Sequence, residues 1–284
     1  MINGMINHSW PMLGLKSDFM KSDNSDILVI GSDEMFNCTM PQYADRPMSL
    51  FGMGYCKKKI SYAASFGDTT IEKIKRNNIT DALIEALNSF SSISVRDQNS
   101  FQIVETLTGI QPSINLDPVL MYDFTEIDNI RVKHKDYIAV YGYGNNINDP
   151  MLIKYLKEFA KNNGLKLLAV GNGQDFCDEV VALSAFDVLA YMKNARYVVT
   201  NTFHGAIFSL KYNIPFAVQL REMNINKLGD LLNRFHVNNR IISTENFENI
   251  SSVLEIPLDT VFINQMIRSN QLKTKEYLKR NIVG

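Results

Sequence analysis

Short apolar runs alternate along this chain with polar, glycine-bearing breaks, and helical periodicity fills the intervals between them. The runs DILVI (26–30), KISYAA (59–64), SISV (92–95), YIAVY (137–141), LKLLAV (165–170), YVVT (197–200) and FAVQL (216–220) lack strict alternation, as strands buried on both faces do. Residues 240–243 read as a last short strand, and INLDPVLM (114–121) as an extended stretch with a corner at Asp117-Pro118. Between them lie helical patterns. Residues 70–88 form two segments, with Thr80 and Asp81 opening the second, and Asp97 caps a helix that runs to Thr108 and stops at Gly109. Pro150 opens a helix ending at Asn163-Gly164, with Leu152, Tyr155, Leu156 and Phe159 on one face. Further helices fall at 186–193, 206–212, 226–235 and 260–280.

Residues 1–25 read as irregular structure with one helical turn, 40–56 as a long loop, and 123–135 as a polar connector between domains. The strand–helix alternation predicts an α/β fold built from two Rossmann-like domains facing a cleft. The first covers 1–125 and the second 135–258, and a helical segment, 259–284, packs back on the first. Polar or cationic punctuation follows the strands at Gly31-Ser32-Asp33, Ser65-Phe66-Gly67, Arg96-Asp97, Gly142, Gly171, His204-Gly205 and Arg221. In parallel sheets those ends share one edge, where open α/β folds bind ligands.

The densest signal is NARYVVTNTFHGAIFSLKYNIPF (194–216). A strand breaks at Asn201-Thr202-Phe203, His204-Gly205 opens a helix, and Asn213 closes it. That places an imidazole where a strand end meets a helix N-terminus, a position that favours anions. The alternative is a helix-start residue that only bonds its neighbours. Arg96 and Arg221 occupy comparable strand exits, and a guanidinium fork suits a carboxylate or phosphate. Arg96 has a competing role as a structural ion pair with Asp97 or Asp117. Asp33 and Glu34 are placed to accept protons from sugar-type hydroxyls, or to cap a helix. Lys227 and Arg240 are weaker candidates.

Composition narrows the chemistry. At 284 residues, 45% hydrophobic and 21% charged, the chain reads as a soluble two-domain protein of cytoplasmic type. Its net charge of −1 supplies no general field for nucleic acid, and aromatics are not interleaved with basic residues. Cys38, Cys56 and Cys177 are scattered, without metal spacing, and read as reduced thiols, so no metal is expected. No apolar run approaches the roughly 18 residues of a membrane span. Gly142-x-Gly144 lacks the third glycine of a dinucleotide fingerprint, and neither a phosphate-binding Walker loop nor a nucleophile elbow occurs.

Taken in order, DILVIGSDEMFN (26–37), KKISYAASFG (58–67), SISVRDQNS (92–100), LDPVLM (116–121), NARYVVTNTFHGAIFSL (194–210) and LLNRFHVNNR (231–240) resemble the polysaccharide pyruvyltransferase family. The resemblance implies a glycosyltransferase-B-like fold. It also implies transfer of the enolpyruvyl unit of phosphoenolpyruvate, a co-substrate in place of any cofactor, onto sugar hydroxyls as a ketal in surface-polysaccharide biosynthesis. His204 would be the acid/base group and a donor contact, flanked by Thr202, Phe203 and Gly205, with Arg96 and Arg221 on the donor's anionic groups. Gly31, Ser32, Asp33, Glu34 and Ser65 would line the acceptor side. The implied partners are phosphoenolpyruvate and a saccharide acceptor, free or lipid-linked, with peripheral membrane association compatible with either.

The chain departs from the family pattern in three places. The strand–helix unit that precedes Gly-Ser-Asp is missing, so the first domain is expected to be shortened. Glu34 and Phe36 replace the usual Gln and Trp, and Thr202-Phe203 replaces an Arg found before the His in some relatives. Two further readings stand beside the leading one: a catalytically degenerate sugar-binding or scaffold protein, and a nucleotide-sugar glycosyltransferase on the same fold.

Overall fold

A computed structural model describes residues 26–52, 58–181 and 184–283, and the expectation for residues 1–25 lies outside these. The described chain forms two units. The first gathers residues 26–122, 222–236 and 264–283, and the second 123–221 and 237–263.

In the first unit, β1 (Ile27–Ile30) pairs in parallel with β2 (Lys58–Ser61), and β3 (Ser94–Val95) with β4 (Ser113–Ile114). Single parallel bridges, Ile60 to Ser92 and Ala64 to Val95, join the pairs into the order β1-β2-β3-β4. The connection from β1 to β2 contains two short 3-10 turns, Pro41–Tyr43 and Ser49–Phe51, where the sequence pattern predicts only loop. Phe51 is fully buried and stacks on Phe36 at 4.8 Å, and Phe66 and Phe90 complete an aromatic core.

Helices α1 (Ile71–Arg76) and α2 (Thr80–Asn88) follow β2. Thr70 caps α1 by accepting from the Lys73 N–H, because a hydroxyl there satisfies a donor the helix cannot. Asp97 caps α3 (Gln98–Thr108) in the same way through Ser100, and Gly109 ends it in the left-handed region. At Asp117-Pro118 the expected extended corner is instead the start of a one-turn helix, α4 (Pro118–Met121). Asp117 accepts from the Val119 N–H, and Pro118 takes the first helical position, where its missing N–H costs nothing.

The second unit holds the larger sheet. Its strands are β5 (Tyr137–Tyr141), β6 (Lys166–Val170), β7 (Glu179–Val181), β8 (Tyr197–Thr200), β9 (Phe216–Gln219) and β10 (Ile241–Ile242). All are parallel, in the order β10-β9-β8-β5-β6-β7. This is the doubly wound Rossmann order, in which the winding reverses between β5 and β8. Helices α5 (Pro150–Asn162), α6 (Ala185–Lys193) and α7 (Phe203–Tyr212) join its strands. α6 opens on a capping box, Ser184 with Asp187. Strand β7 carries no apolar signal beyond Val180 and Val181, so the sequence pattern misses it.

Two segments depart from the expected domain bounds. Residues 123–135 belong to the second unit: Lys193 pairs with Asp128 at 2.7 Å, and the Lys211 ammonium lies over the Phe124 ring. Residues 222–236, which include α8 (Ile225–Arg234), belong to the first unit. There α8 buries Leu228, Leu231 and Leu232, Lys227 bonds Glu34, and Arg234 donates to the Arg96 carbonyl at 2.8 Å. The short helix α9 (Ile250–Glu255) was not expected either. Arg240, buried to 1% exposure, donates to the carbonyls of Val253, Ile256 and Pro257, so it closes the end of α9 instead of facing a ligand.

The last helix, α10 (Thr260–Leu278), continues as a wider π turn to Val283. Its residues from 264 onward belong to the first unit. Gln271 donates to the Leu120 carbonyl, Thr274 accepts from the Leu116 N–H, and the Tyr277 hydroxyl donates to the Ser61 carbonyl. No described helix is long and apolar enough to cross a membrane.

Candidate active site

In the second unit the exits of β5 and β8 meet at the switch point, where two diverging connections leave a crevice at the sheet edge. Thr200, the last residue of β8, donates its hydroxyl to the Tyr141 carbonyl at 2.7 Å and lies 3.1 Å from the Thr202 hydroxyl. Asn201 donates its amide to the Asn146 carbonyl at 3.3 Å, which ties the two exit loops together. Gly142 leaves room for this: a Cβ there would lie 3.2 Å from Asn201 Oδ1 and 3.3 Å from Gln174 Nε2. Gln174 is 1% exposed, and its Oε1 accepts from the Ile147 N–H while Nε2 has no hydrogen-bond partner among the described residues. A buried donor left without a partner calls for an explanation, and an edge that receives a ligand would supply one.

His204 lies in the first turn of α7. Thr202 caps the helix by accepting from the Gly205 N–H at 2.9 Å, so its hydroxyl is spent on the turn. Gly205 is fixed by close approach: a Cβ would lie 2.1 Å from Thr200 Oγ1. The neighbour that needs this glycine is therefore the chain's own strand. Phe203 is buried and meets the imidazole edge-on at 5.6 Å, and Phe208 flanks it at 6.1 Å. His204 itself stays partly exposed, held by two rings at the positive end of a ten-residue helix. Arg221, partly exposed, follows the end of β9 on the same edge of the sheet.

The first unit builds a different edge. Arg96 is 1% exposed, and donates to Asp117 Oδ2 at 2.8 Å and to Asp33 Oδ1 at 2.7 Å. Burial works against its charge, but the two carboxylates, with Asp97 beyond, raise its pKa above the ordinary value. The guanidinium fork that the sequence pattern assigns to a donor anion is thus filled by protein carboxylates, one buried (Asp117) and one 60% exposed (Asp33). Ser32 donates to Asp117 at 3.4 Å.

Asp33 has a φ of 65° and Ala63 a φ of 50°, so two strand exits carry left-handed, strained backbone. Glu34 is held by Lys227 on one oxygen and by Asn37 on the other at 2.9 Å. Ser65 is fully buried and donates to Asp97 at 2.6 Å, while Gly31 precedes the Ser32–Asp33 turn with open space where a Cβ would be.

Each unit by itself therefore gathers its expected residues at one sheet edge: Gly31, Ser32, Asp33, Glu34, Ser65 and Arg96 in the first, and Thr202, Phe203, His204, Gly205 and Arg221 in the second. Sequence reasoning missed Gln174 and the role of Asn201. A carboxamide in a loop gives no pattern, and only the reversal at β5 and β8 shows where it lies.

Comparison with known families matches residues 4–218 to the family described as Polysaccharide pyruvyl transferase. Among solved structures, similar folds include the α,α-trehalose-phosphate synthase of Burkholderia xenovorans in complex with glucose-6-phosphate. It is 10% identical, with a TM-score of 0.53, over 100% of this chain and 78% of that one. The UDP-GlcNAc 2-epimerase of Methanocaldococcus jannaschii is also similar, at 10% identity and a TM-score of 0.50, over 94% of this chain and 79% of that one. At these identities the likeness speaks for fold alone, a glycosyltransferase-B-like pair of Rossmann-like lobes. Comparison with curated protein sequences returned no match.

Proposed function

The chain belongs to the polysaccharide pyruvyl transferase family, a family of transferases, and on that premise we propose that it forms a pyruvate ketal on a saccharide from phosphoenolpyruvate. The observation that carries this reading is His204, a partly exposed imidazole at the N-terminus of α7 beside the Rossmann switch point. A helix start of this kind attracts the donor's phosphate or carboxylate, and an imidazole titrates in the range that proton transfer needs.

The chemistry balances without a redox step. Protonation of the donor's methylene carbon makes C2 electrophilic, and a first sugar hydroxyl adds there. Loss of phosphate regenerates an electrophilic C2, which the second hydroxyl closes into the ketal. Of the two hydroxyl protons, one replaces the proton taken up at carbon and the other leaves with phosphate. We assign His204 to proton transfer and donor contact, with Thr202, Phe203 and Gly205 setting its turn and Arg221 adding positive charge at the same edge. Asp33, the exposed carboxylate, is assigned to a sugar hydroxyl, with Gly31, Ser32 and Glu34 shaping its loop. Arg96 orients Asp33, and its terminal nitrogens reach a donor anion only by exchanging a carboxylate for the ligand.

Purified protein given phosphoenolpyruvate and a galactoside or lipid-linked saccharide is expected to release phosphate and add a pyruvyl ketal to the sugar. His204→Ala is expected to lower turnover by about two orders of magnitude or more while leaving the melting temperature unchanged. If nucleotide sugars raise the melting temperature and phosphoenolpyruvate does not, the chain is a glycosyl transferase on the same scaffold and this assignment fails. If phosphoenolpyruvate binds and His204→Ala changes nothing, the histidine has been misassigned.

A further inference from the structure

Beside β4 the first unit carries a feature that the proposed donor and acceptor chemistry does not use. An open groove of about 840 Å³ lies along α10, lined by Ile114, Asn115, Lys273, Tyr277, Arg280 and Val283 among others. Its walls are mainly apolar, and three cations, Lys273, Lys279 and Arg280, line it beside one carboxylate, Glu276. Between residues 264 and 283 the chain has Arg268, Lys273, Lys275, Lys279 and Arg280 against one carboxylate, Glu276, although the whole protein carries a net charge of −1. No ion pair with a carboxylate forms at Lys273, Lys279 or Arg280 among the described residues.

The helix is two-faced. Ile267, Thr274 and Tyr277 are buried against the first unit. Arg268, Leu272, Lys275, Lys279 and Val283, at spacings of three and four, run down the outer face. Leu272 is 65% exposed, Ile282 43% and Val283 80%, unusual for aliphatic side chains on a helix otherwise well tied down.

We propose that this face of α10, with its groove, docks on an anionic phospholipid surface. Two properties of the patch select that occupant. The unpaired cations complement lipid phosphates, each contributing ~1 kcal/mol near a charged bilayer. The aliphatic side chains between them enter the headgroup boundary, which a nucleic acid backbone offers no place for. The outer face thus matches an interfacial helix lying in the membrane plane and not crossing it. Docking of this kind would hold the enzyme near acceptors presented at a membrane, yet it stands independently of which reaction is catalysed.

The test is sedimentation of the full chain with vesicles of phosphatidylcholine alone or mixed with phosphatidylglycerol, at low and high salt, with free inorganic phosphate as a separate arm. Binding is expected to the mixed vesicles only, to weaken with salt, and to resist inorganic phosphate. The charge-reversal variant Lys273→Glu/Lys279→Glu/Arg280→Glu is expected to lose binding by roughly two orders of magnitude. Leu272→Ser/Val283→Ser is expected to lose the part that survives high salt. All five side chains are exposed, so both variants are expected to melt with the wild type, which a thermal scan checks. Equal binding to neutral vesicles, indifference to charge reversal, or quantitative displacement by duplex DNA would each overturn the proposal. None of these readouts depends on pyruvyl transfer, so this inference and the catalytic assignment can fail separately.

Discussion

The two units reach the same kind of sheet edge by opposite electrostatic means. In the first, the strand exits are closed by charge: Arg96 is shared between Asp33 and Asp117, and Lys227 holds Glu34. In the second, the exits of β5 and β8 are joined by neutral groups, Thr200, Asn201, Gln174 and two glycines, and an imidazole follows β8 in the first turn of α7. A buried guanidinium whose two terminal nitrogens are held by carboxylates offers that fork to an incoming anion only if one carboxylate leaves. In the second unit Thr200 and Asn201 spend their donors on the Tyr141 and Asn146 carbonyls, and Gln174 Nε2 is left without a hydrogen-bond partner among the described residues. A cationic residue type alone therefore does not mark an anion site, and the partners of its nitrogens have to be read as well.

The sharpest way to break this contrast is Arg96→Met. Removing the guanidinium leaves Asp117, whose side chain is 3% exposed, buried without its cation, and the expected loss is ~3–5 kcal/mol in urea unfolding. An unchanged unfolding midpoint would show that the cluster does not hold the fold, and would favour a donor-binding role for Arg96.

A smaller effect is expected at Gly205. Gly205→Ala puts a methyl into the Thr200 hydroxyl and is expected to cost ~1–3 kcal/mol as overpacking. Combining it with Thr200→Ala should cost less than the sum of the two single changes, because the double variant removes the contacts with the Thr200 hydroxyl and methyl, although the Cβ of residue 200 stays 2.6 Å from the added methyl. Strict additivity would mean that the helix moves away and that the tight turn beneath His204 is not needed.

The smallest effect concerns alkaline pH. Burial, and then Tyr143, push the Tyr141 phenol from the ordinary 10.0 to about 12. A phenol with a raised folded pKa contributes stability that is fully present below the unfolded value and is lost as pH rises through the folded one. The difference in stability between wild type and Tyr141→Phe should therefore be flat below pH 10.0 and shrink from there towards about 12. A difference that is flat across that window would mean the ring is wetter than its packing against Phe208 at 5.7 Å implies.

Much of the fold was legible locally. Asp97 and Gly109 announce both ends of one helix, Pro150 opens another, and the run from Asn194 to Phe216 spells out strand, turn and helix with His204 at the join. These are contacts over a few residues, made by side chains whose preferences the chain carries with it. Asp117 is the opposite case: its local signal was a corner, while its partner Arg96 lies 21 positions away.

The amino-acid order by itself determined the two α/β halves, the family motifs and the helix entry that presents His204, because short-range capping and periodicity decide those. Only the tertiary structure decided that Arg96 is shared between Asp33 and Asp117, that Gln174 lies beside Gly142 at the switch point, and that α8 belongs to the first unit. Each of these depends on groups brought together across long stretches of chain, where burial and charge pairing outweigh any preference a local stretch can express.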